Sequence, residues 1–321
     1  RSLRLQKFGY TAIAMDSLHL DARVRAYLDL TRIHFAIVWP LLFGSGAVLA
    51  FARYGGFGWD LLIKAFLIGF FGFEAGMVLN DVIDQDVDKR DVDPSLTRYW
   101  RPFKTRPLSE GLLPRRLAIA TVVVFALVAA GLAATLPPRN AVCVVGLMLY
   151  AYGMESFYQL KKRHQRLPLA QLLGRTDFAL FPIAGYLCVG VFDWTAALYL
   201  LFFYPFALVH LGINDLVDVE NDVARGMRTV TTMYGLRGTA VWITVMAAVH
   251  LAASVFFMQI FRSPARFGFV VAAGLLVFVT APIVRRPSPA RGLAVLPVFH
   301  ATLFVYLVSM YVDFFLLGGA A

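Results

Sequence analysis

The stretch LLIKAFLIGFFGFEAGMVLNDVIDQDVD at residues 61–88 joins a long apolar run to a group of four aspartates. In the run itself, residues 61–79, the only charged side chains are Lys64 and Glu74. A helix needs about 20 apolar residues to cross the roughly 30 Å hydrocarbon core of a bilayer. The stretch therefore predicts a transmembrane helix that ends in a cluster of carboxylates.

The composition of the whole chain agrees with a membrane protein. Of the 321 residues, 59% are hydrophobic and 16% are charged, and the mean hydropathy is +0.68. A soluble domain is typically about 45–50% apolar and about 25% charged, so this much apolar surface excludes a soluble globular enzyme. The 28 Phe and 13 Tyr exclude a disordered chain. The sequence predicts an all-α integral membrane protein.

Nine apolar segments each have about the length that a transmembrane helix requires. They lie at residues 33–52, 61–80, 117–136, 140–158, 170–191, 194–213, 240–260, 266–284 and 292–313. The fifth segment departs from the others because it contains Arg175 and Asp177 close to Pro182. We expect one domain over residues 24–317, a bundle of nine transmembrane helices with an active-site cavity on the cytoplasmic side. Residues 1–23 are expected to be a polar N-terminal segment for which disorder is an open alternative, and no cleavable signal peptide is predicted.

The basic residues are distributed unequally between the two ends of these segments. Of the 30 Lys and Arg, 24 precede the first segment or lie in loops on the same side, and 4 lie in loops on the other side. Because cytoplasmic loops carry an excess of Lys and Arg, we predict a cell-membrane protein with its N-terminus and long loops in the cytoplasm and its C-terminus outside. These loops account for the net charge of +10, and no nucleic-acid partner is expected.

The aspartate cluster occurs twice in the chain. Residues 80–88 read NDVIDQDVD, and residues 214–222 read NDLVDVEND. In both copies aspartates follow the Asn by one, four and eight positions, and another acid follows it by six. One copy ends the second apolar segment and the other ends the sixth, so the domain is predicted to consist of two related halves.

Each copy would present a stripe of oxygen ligands, because residues four positions apart lie on one face of a helix. Such a stripe repels itself unless a cation neutralises it, and its oxygen ligands suit Mg²⁺, which normally also binds substrate phosphates. The alternatives are a solvated acidic face paired with nearby Lys and Arg, and a duplication without retained chemistry. Two copies at equivalent helix ends favour Mg²⁺. The predicted ligands are Asn80, Asp81, Asp84, Asp88, Asn214, Asp215, Asp218 and Asp222.

Three basic segments lie on the same side as the two acidic copies, at residues 100–108, 158–163 and 225–229. Carboxylates, a metal ion and cationic side chains together describe a pocket for a diphosphate. The alternative for any one basic residue is a surface charge that only sets the topology. The cations that flank the acidic copies are Lys104, Arg106, Lys162 and Arg228.

The two acidic copies resemble the aspartate motifs of the UbiA superfamily of intramembrane prenyltransferases, N-D-x-x-D-x-x-x-D after the second helix and often D-x-x-x-D after the sixth. The matching residues are Asn80, Asp81, Asp84 and Asp88, and then Asp218 and Asp222. Three shorter segments are similar to the K-R-P-L, Y-x-x-x-K and L-x-R-P-H segments of the family. They contain Arg106 after Thr105 in place of Lys, Tyr158 with Lys162, and Arg32 before Ile33 in place of Pro. The resemblance covers about residues 24–313.

The resemblance implies Mg²⁺-dependent transfer of a prenyl group from a prenyl diphosphate to an acceptor. Ionisation of an allylic diphosphate places negative charge on the leaving group, which metals and cations stabilise, and the carbocation needs a dry pocket. The implied catalytic residues are Asp84, Asp88, Asp218, Asp222, Lys162 and Arg106. The implied diphosphate-binding residues are Arg32, Lys104, Arg106, Tyr158, Lys162 and Arg228.

Three functions remain open at this stage. The favoured one is prenyl transfer to an aromatic quinone precursor, and the second is the archaeal ether-lipid synthesis of the same family. The third is a divalent-cation transporter, which would be expected to place its acids at the bilayer midplane rather than at helix ends. The expected partners are the prenyl diphosphate, an aromatic or lipid-phase acceptor and membrane lipids, with no protein partner implied.

Ionisable residues within apolar segments are candidates for functional roles. Glu74 and His210 are expected either to point into the cavity or to form hydrogen bonds within the fold. His34 and His300 are expected to have structural roles.

Three charged residues of the fourth and fifth segments have two interpretations each. Arg175 and Asp177 either pair with each other to stabilise the fifth helix or recognise the acceptor, and Glu155 is a similar candidate. The two cysteines, Cys143 and Cys188, provide neither a disulfide framework nor a four-ligand zinc site.

Overall fold

The computed structural model describes residues 21–317, and over this range the chain forms helices joined by turns and loops without a β-strand. The all-α prediction is therefore confirmed. The helices are α1 Ala22–Leu30, α2 Val38–Tyr54, α3 Trp59–Asp88, α4 Ser95–Trp100, α5 Arg115–Ala134, α6 Pro138–Lys161, α7 Thr176–Ala179, α8 Phe181–Leu187, α9 Trp194–Val217, α10 Val219–Arg225, α11 Val230–Phe257, α12 Ser263–Arg285 and α13 Pro289–Leu317. The predicted segment 1–23 lies outside this range except for its last three residues, of which Asp21 caps α1.

Eight helices in the described part of the chain are long and apolar enough to cross a membrane. They correspond to eight of the nine predicted segments, and most of their ends agree within a few residues. The largest difference is at α11, which begins at Val230, ten residues before the predicted start, and contains a break at Gly235, where φ is 70°. The protein is an integral membrane protein.

The fifth predicted segment is helical but interrupted. It begins with a π-helical turn at Ala170–Gly174 and continues as α7 and α8, with Pro182 in the first turn of α8. Proline cannot donate the backbone hydrogen bond that a continuous helix needs, and two charged side chains lie just before it. The count of nine crossings therefore stays a prediction.

The interrupted segment nevertheless runs from one end of the bundle to the other. At its start, Gln165 donates a hydrogen bond to the carbonyl of Arg228, in the loop that follows α10 (2.6 Å). At its end, the carbonyls of Leu187 and Gly190 accept hydrogen bonds from Asn140, at the opposite end of α6 (2.7 and 2.9 Å). The long helices before and after this segment can therefore still cross the membrane in alternating directions, as the distribution of Lys and Arg predicts.

Close backbone contact holds α8 against α2. A Cβ atom at Gly46 would lie 1.9 Å from the carbonyl oxygen of Pro182, and one at Gly185 would lie 1.8 Å from that of Phe43. Only glycine fits at these two positions. Helices in a membrane associate through this kind of close packing, because lipid tails are as apolar as the side chains they replace.

Aromatic side chains fill the core between α9, α11 and α13. Phe206 stacks on Phe299 with 4.4 Å between ring centroids, and Phe202 lies 4.6 Å from His250 and 4.7 Å from Phe257. These contacts fix the position of α9, which carries the second acidic copy.

The helix α3 extends beyond the apolar run. With 30 residues it is about 45 Å long, which exceeds the roughly 30 Å hydrocarbon core. Residues 80–88 occupy its last turns, so the predicted helical stripe is confirmed for the first acidic copy. The second copy differs: α9 ends at Val217, and Asp218 (φ −88°, ψ 10°) separates it from α10. The prediction of a continuous second stripe is wrong, because the helix axis is interrupted at its central aspartate.

The orientation in the membrane can be tested by cysteine labelling. Asp60, in the first turn of α3, and Glu110, in the loop after α4, are both exposed. In a variant with Ala at positions 143 and 188, we expect Asp60→Cys to react with an impermeant maleimide from the outer face of intact cells and Glu110→Cys to react only after lysis. The opposite pattern would reverse the predicted topology.

Candidate active site

A cavity of about 240 Å³ lies where the end of α3 meets α9 and the loop that contains α4. Asp81, Asp84 and Asp88 of the first acidic copy line it, together with Asn214 and Asp218 of the second. The structure thus brings together the two copies, which are about 130 positions apart in the sequence.

Asp84 is buried and accepts hydrogen bonds from two cations that follow α6. Lys162 Nζ lies 2.8 Å from one carboxylate oxygen, and Arg163 Nη2 lies 2.9 Å from the other. Lys162 is itself buried and also donates to the side-chain oxygen of Gln159. Lys162, predicted to bind the diphosphate, thus lies beside Asp84, a predicted metal ligand.

Arg225, at the end of α10, joins the two acidic copies. Its guanidinium lies 3.4 Å from a carboxylate oxygen of Asp88 and 3.2 Å from one of Asp218, and it also pairs with Asp91. Arg106 contacts two of these three aspartates as well: its guanidinium lies 2.6 Å from an oxygen of Asp88 and 2.9 Å from one of Asp91. Arg225 and Asp91 were not among the predicted site residues, although Asp91 comes only three positions after Asp88.

Asp81 is neutralised by two arginines. Arg32 Nη2 lies 2.8 Å from one of its oxygens and Arg101 Nη2 lies 2.7 Å from the other. Arg32 has a left-handed backbone conformation (φ 44°), which costs free energy for a residue other than glycine and persists only where the surroundings enforce it. All three side chains are buried, so Asp81 and Arg32 form a structural ion pair in this state.

Asp29 of α1 holds the loop that carries Arg106. Its carboxylate accepts hydrogen bonds from the backbone N–H of Phe103 (2.7 Å) and from both the N–H and the hydroxyl of Thr105 (2.8 and 2.7 Å). Lys104 lies between these two residues with φ 66° and is exposed. This loop conformation directs Arg106 into the cavity and leaves Lys104 outside its wall.

The two asparagines of the acidic copies are engaged by neighbouring groups. Asn80 donates a hydrogen bond to Glu155 (2.7 Å). Asn214 accepts one from the indole N–H of Trp100 (3.3 Å) and donates one to the backbone carbonyl of His210 (2.9 Å). These hydrogen bonds fix both asparagine side chains in the cavity wall.

The outer aspartates of the second copy lie behind that wall. Asp215 accepts a hydrogen bond from the backbone N–H of Val230 (3.1 Å), and Asp222 accepts one from the hydroxyl of Thr229 (2.8 Å). Burial, together with the negative charge of Asp218, raises the pKa of Asp222 to about 7 in spite of nearby Lys162 and Arg225. A further cation near this carboxylate would favour its ionised form.

Of two further predicted diphosphate-binding residues, Tyr158 reaches the cavity and Arg228 does not. Tyr158 lines the cavity, and its ring lies 5.0 Å from Lys162 Nζ and 4.0 Å from the guanidinium carbon of Arg175. Arg228 is exposed, and its side chain donates to the backbone carbonyl of Gln165. Arg228 therefore joins two loops and does not reach the cavity.

The charged residues of the fourth and fifth segments form their own cluster. Arg175 lies 3.3 Å from Glu155 and 3.7 Å from Asp177. Glu155 and Arg175 line the main cavity. The predicted pair of Arg175 and Asp177 is present, and Glu155 is its third member. Glu74 is fully buried, and neither of its oxygens has a hydrogen-bond partner.

The other half of the cavity is aromatic. Trp39 stacks on Phe73 with 4.0 Å between ring centroids, and Phe178 lies 5.9 Å from Phe73. Phe73 and Phe178 also line a second cavity of about 90 Å³ between α3 and α6, which Gly72 and Gly76 help to form. The cluster of Glu155, Arg175 and Asp177 also lines this second cavity. The site thus combines a charged end with a largely apolar continuation.

The charged end offers the ligands that a hard divalent cation prefers. Within residues 21–317, no group of three or more His, Cys, Asp or Glu side chains is arranged to hold a metal ion. Each cavity-lining carboxylate instead contacts Arg or Lys. One cavity is nevertheless lined by three carboxylates, whose oxygens are the ligands that Mg²⁺ prefers: Asp84, Asp88 and Asp218. The Arg and Lys side chains that pair with them would also attract a diphosphate.

This chain is similar to known proteins in both sequence and structure. A family model for the UbiA prenyltransferase family matches residues 37–307. The 4-hydroxybenzoate octaprenyltransferase of Alkalilimnicola ehrlichii is 27% identical over 244 residues, 74% of this chain and 76% of that protein. The digeranylgeranylglyceryl phosphate synthase of Thermococcus sibiricus is 23% identical over 269 residues, 83% of this chain and 88% of that protein. The structure of a UbiA homolog from Archaeoglobus fulgidus bound to DMAPP and Mg²⁺ has a TM-score of 0.62 at 16% identity, covering 90% of this chain and 98% of that one.

Proposed function

Because the chain belongs to the UbiA prenyltransferase family, we propose that it transfers a prenyl group from a prenyl diphosphate to an aromatic quinone precursor in a Mg²⁺-dependent reaction. The observation that carries the proposal is the convergence of both acidic copies and six Arg and Lys side chains on one cavity with an aromatic continuation.

The proposed Mg²⁺ ligands are Asp84, Asp88 and Asp218. Asp222 lies behind the cavity wall, and its negative charge adds to that of Asp218. When bound, Mg²⁺ would neutralise the charge that develops on the departing diphosphate. Asn80, Asp81, Asn214 and Asp215, predicted as ligands from the sequence, have structural partners instead, and we propose that they position the site.

Arg106, Lys162 and Arg225 are the proposed diphosphate-binding residues. Each is paired with an aspartate, so its charge stays balanced in the absence of substrate. A diphosphate oxygen can replace the aspartate as a partner, and charge-assisted hydrogen bonds of this kind are among the strongest that proteins form. The same exchange would release the carboxylates to act as metal ligands.

The aromatic half of the cavity is the proposed site of the prenyl chain. Breaking the C–O bond of an allylic diphosphate leaves a carbocation, which water would capture. Trp39, Phe73 and Phe178 surround the route from the charged end to the second cavity. Their rings exclude water, and their π faces are attractive to a cation.

Two acceptors are consistent with the family. The relative from Alkalilimnicola ehrlichii supports an aromatic acceptor, and an electron-rich ring captures a carbocation without prior deprotonation. The relative from Thermococcus sibiricus supports a glyceryl phosphate ether and aligns with more of this chain. We place the aromatic acceptor first.

We also propose that the cavity opens to the cytoplasm. Cation transport, considered from the sequence, has no support in an ion-paired cavity at one end of the bundle.

The acceptor is tested with purified protein, Mg²⁺ and a radiolabelled prenyl diphosphate. We expect prenylated product with 4-hydroxybenzoate or dihydroxynaphthoate and none after a chelator removes the metal ion. A parallel incubation with a glyceryl phosphate ether measures the second candidate. Product from the ether alone would reverse the order of the two acceptors, and product from neither would contradict the proposed function.

A further inference from the structure

Two imidazoles and a phenol form a hydrogen-bonded chain that begins at the cavity wall. His210 of α9 lines the cavity. Its Nε2 lies 3.2 Å from Nε2 of His300 on α13. The other ring nitrogen of His300, Nδ1, lies 2.6 Å from the hydroxyl of Tyr99 on α4. The chain thus connects the cavity to the loop side of the bundle through three different helices.

The packing around His210 fixes this arrangement. The ring of His210 stacks on Phe299 at 5.3 Å between centroids, and Trp100 meets it edge-on at 5.7 Å. Trp100 is held in turn by Asn214, one helical turn beyond His210 and one turn before Asp218. His210 is therefore placed next to the charged end of the cavity and faces its aromatic half.

One nitrogen of His210 remains available. Within residues 21–317, the ring of His210 makes its hydrogen bond through Nε2, and the side chain is partly exposed in the cavity. If His210 carries its proton on Nε2 and donates it to His300, and His300 donates from Nδ1 to Tyr99, then Nδ1 of His210 is a free acceptor. In this tautomer assignment each of the two hydrogen bonds has one donor and one acceptor, and Nδ1 of His210 is left to accept a proton.

We propose that His210 accepts the proton that the acceptor loses after prenyl transfer and that His300 and Tyr99 carry it away from the cavity. The inference rests on the proposed function. In that reaction the bond between the prenyl C1 and the diphosphate oxygen breaks, and a bond forms between C1 and a ring carbon. The ring C–H proton moves to Nδ1 of His210, and its electron pair restores the aromatic ring. The proton on Nε2 moves to His300, the one on Nδ1 of His300 moves to Tyr99, and the hydroxyl proton leaves on the loop side.

The carboxylates of the cavity are less suited to this step because cations occupy them. Asp84 contacts Lys162 and Arg163, and Asp218 contacts Arg225. Within residues 21–317 no ion pair includes His210, and its ring lies beside the aromatic half of the cavity, where the prenyl chain is proposed to bind and where the acceptor ring must meet its C1 atom. This assignment gives His300, for which the sequence suggested only a structural role, a part in the reaction.

The test uses an aromatic acceptor that carries deuterium at the reacting ring carbon. With the relay intact we expect proton loss from the prenylated ring to be fast, so kcat of the wild-type enzyme should show little isotope effect. In His210→Gln proton removal becomes slow: we expect kcat to fall by roughly 10²-fold or more and a normal isotope effect on kcat to appear. Tyr99→Phe should show the same isotope effect with a smaller loss of rate, because it keeps the ring and removes only the hydroxyl.

His250→Gln is the matched control. This buried imidazole bonds to the carbonyl of Phe202 and to Tyr306 in the core (2.8 and 3.0 Å), and its replacement should produce no isotope effect. Binding of a non-hydrolysable prenyl diphosphate analogue checks that each variant is folded, and the isotope effect itself does not depend on the amount of active enzyme.

Three outcomes are distinguishable. A His210→Gln variant with a wild-type rate, or with a lower rate and no isotope effect, overturns the relay while leaving the prenyltransferase intact. The same isotope effect in His250→Gln also overturns it. A wild-type protein that prenylates no aromatic acceptor contradicts the proposed function itself.

Discussion

Replacing Asp84 or Asp218 by asparagine is expected to lower kcat for prenyl transfer by roughly three powers of ten, which corresponds to about 4 kcal/mol at 1.36 kcal/mol per tenfold. Asparagine keeps the size of the side chain and one oxygen, but it removes the negative charge with which these residues would hold Mg²⁺ against the diphosphate. Preorganised charge at the position where charge develops is usually the largest single contribution to catalysis. Both side chains line the cavity and take no part in core packing, so the helical fold should persist.

The two acidic copies supply matched controls for these variants. Asp86 and Glu220 occupy the same position, six residues after the Asn, in their respective copies. Asp86 is exposed and pairs with Lys89 at 2.7 Å, and Glu220 is also exposed. Asp86→Asn and Glu220→Gln change the net charge by the same amount within the same two acidic copies. They should keep the wild-type rate, because surface changes of this kind have small effects.

The measurement is a single-turnover rate at saturating Mg²⁺ and prenyl diphosphate, with circular dichroism as the check on helix content. A near wild-type rate in Asp84→Asn or Asp218→Asn would remove the basis for a site shared by both copies. Equal losses in the variant and its control would indicate a general effect of charge on the protein rather than loss of a ligand.

The first acidic copy and the eight long helices could be predicted from the sequence because they depend on local periodicity. A stretch of about 20 apolar residues spans the bilayer wherever it occurs, and aspartates at four-residue intervals share a face wherever the helix continues. Residues 80–88 satisfy both conditions. The second copy does not, because the chain changes direction at Asp218, and residue spacing gives no sign of that break.

The cations of the site were predicted less well, for a reason that is visible in the backbone. Gly226 (φ 74°) ends α10 in the left-handed conformation, so Arg225 faces the cavity while Arg228 faces a neighbouring loop. Lys104 has φ 66°, and the chain turns there so that Arg106 faces the cavity. Spacing along the sequence places a side chain only while the backbone stays regular.

The roles of Asp29 and Arg101 depend on contacts between distant parts of the chain. Asp29 binds the backbone of the loop more than 70 residues later, and Arg101 pairs with Asp81 while donating to the carbonyl of Asp29 (2.8 Å). Neither belongs to an acidic copy. A sequence indicates that a buried charge needs a partner, but it does not indicate which partner the fold provides.

The double variant Lys162→Ala with Arg106→Ala is expected to lower kcat/KM for the prenyl diphosphate by roughly three powers of ten, and each single variant by one to two. A charge-assisted hydrogen bond in a partly dry site contributes about 1.5–3 kcal/mol, which at 1.36 kcal/mol per tenfold gives the single effects. The figure for the double variant is the sum of the single effects, because in the free protein the two residues share no partner: Lys162 contacts Asp84, and Arg106 contacts Asp88 and Asp91. Coupling through the shared diphosphate would be measured as a departure from this sum.

Neighbouring basic residues provide the controls for this variant. Lys104 is two positions from Arg106 but is exposed outside the cavity wall, and Lys161 precedes Lys162 without lining the cavity. Lys104→Ala with Lys161→Ala removes the same number of charges from adjacent positions of the chain, so a general loss of electrostatic attraction would affect both double variants equally. Calorimetric titration of a non-hydrolysable prenyl diphosphate analogue, with and without Mg²⁺, separates binding from chemistry. We expect the control to bind like the wild type, and the cavity variant to lose affinity in both conditions because its direct contacts to the diphosphate are gone. Equal affinity in the two double variants would mean that Lys162 and Arg106 serve the aspartates alone and that the diphosphate is held elsewhere.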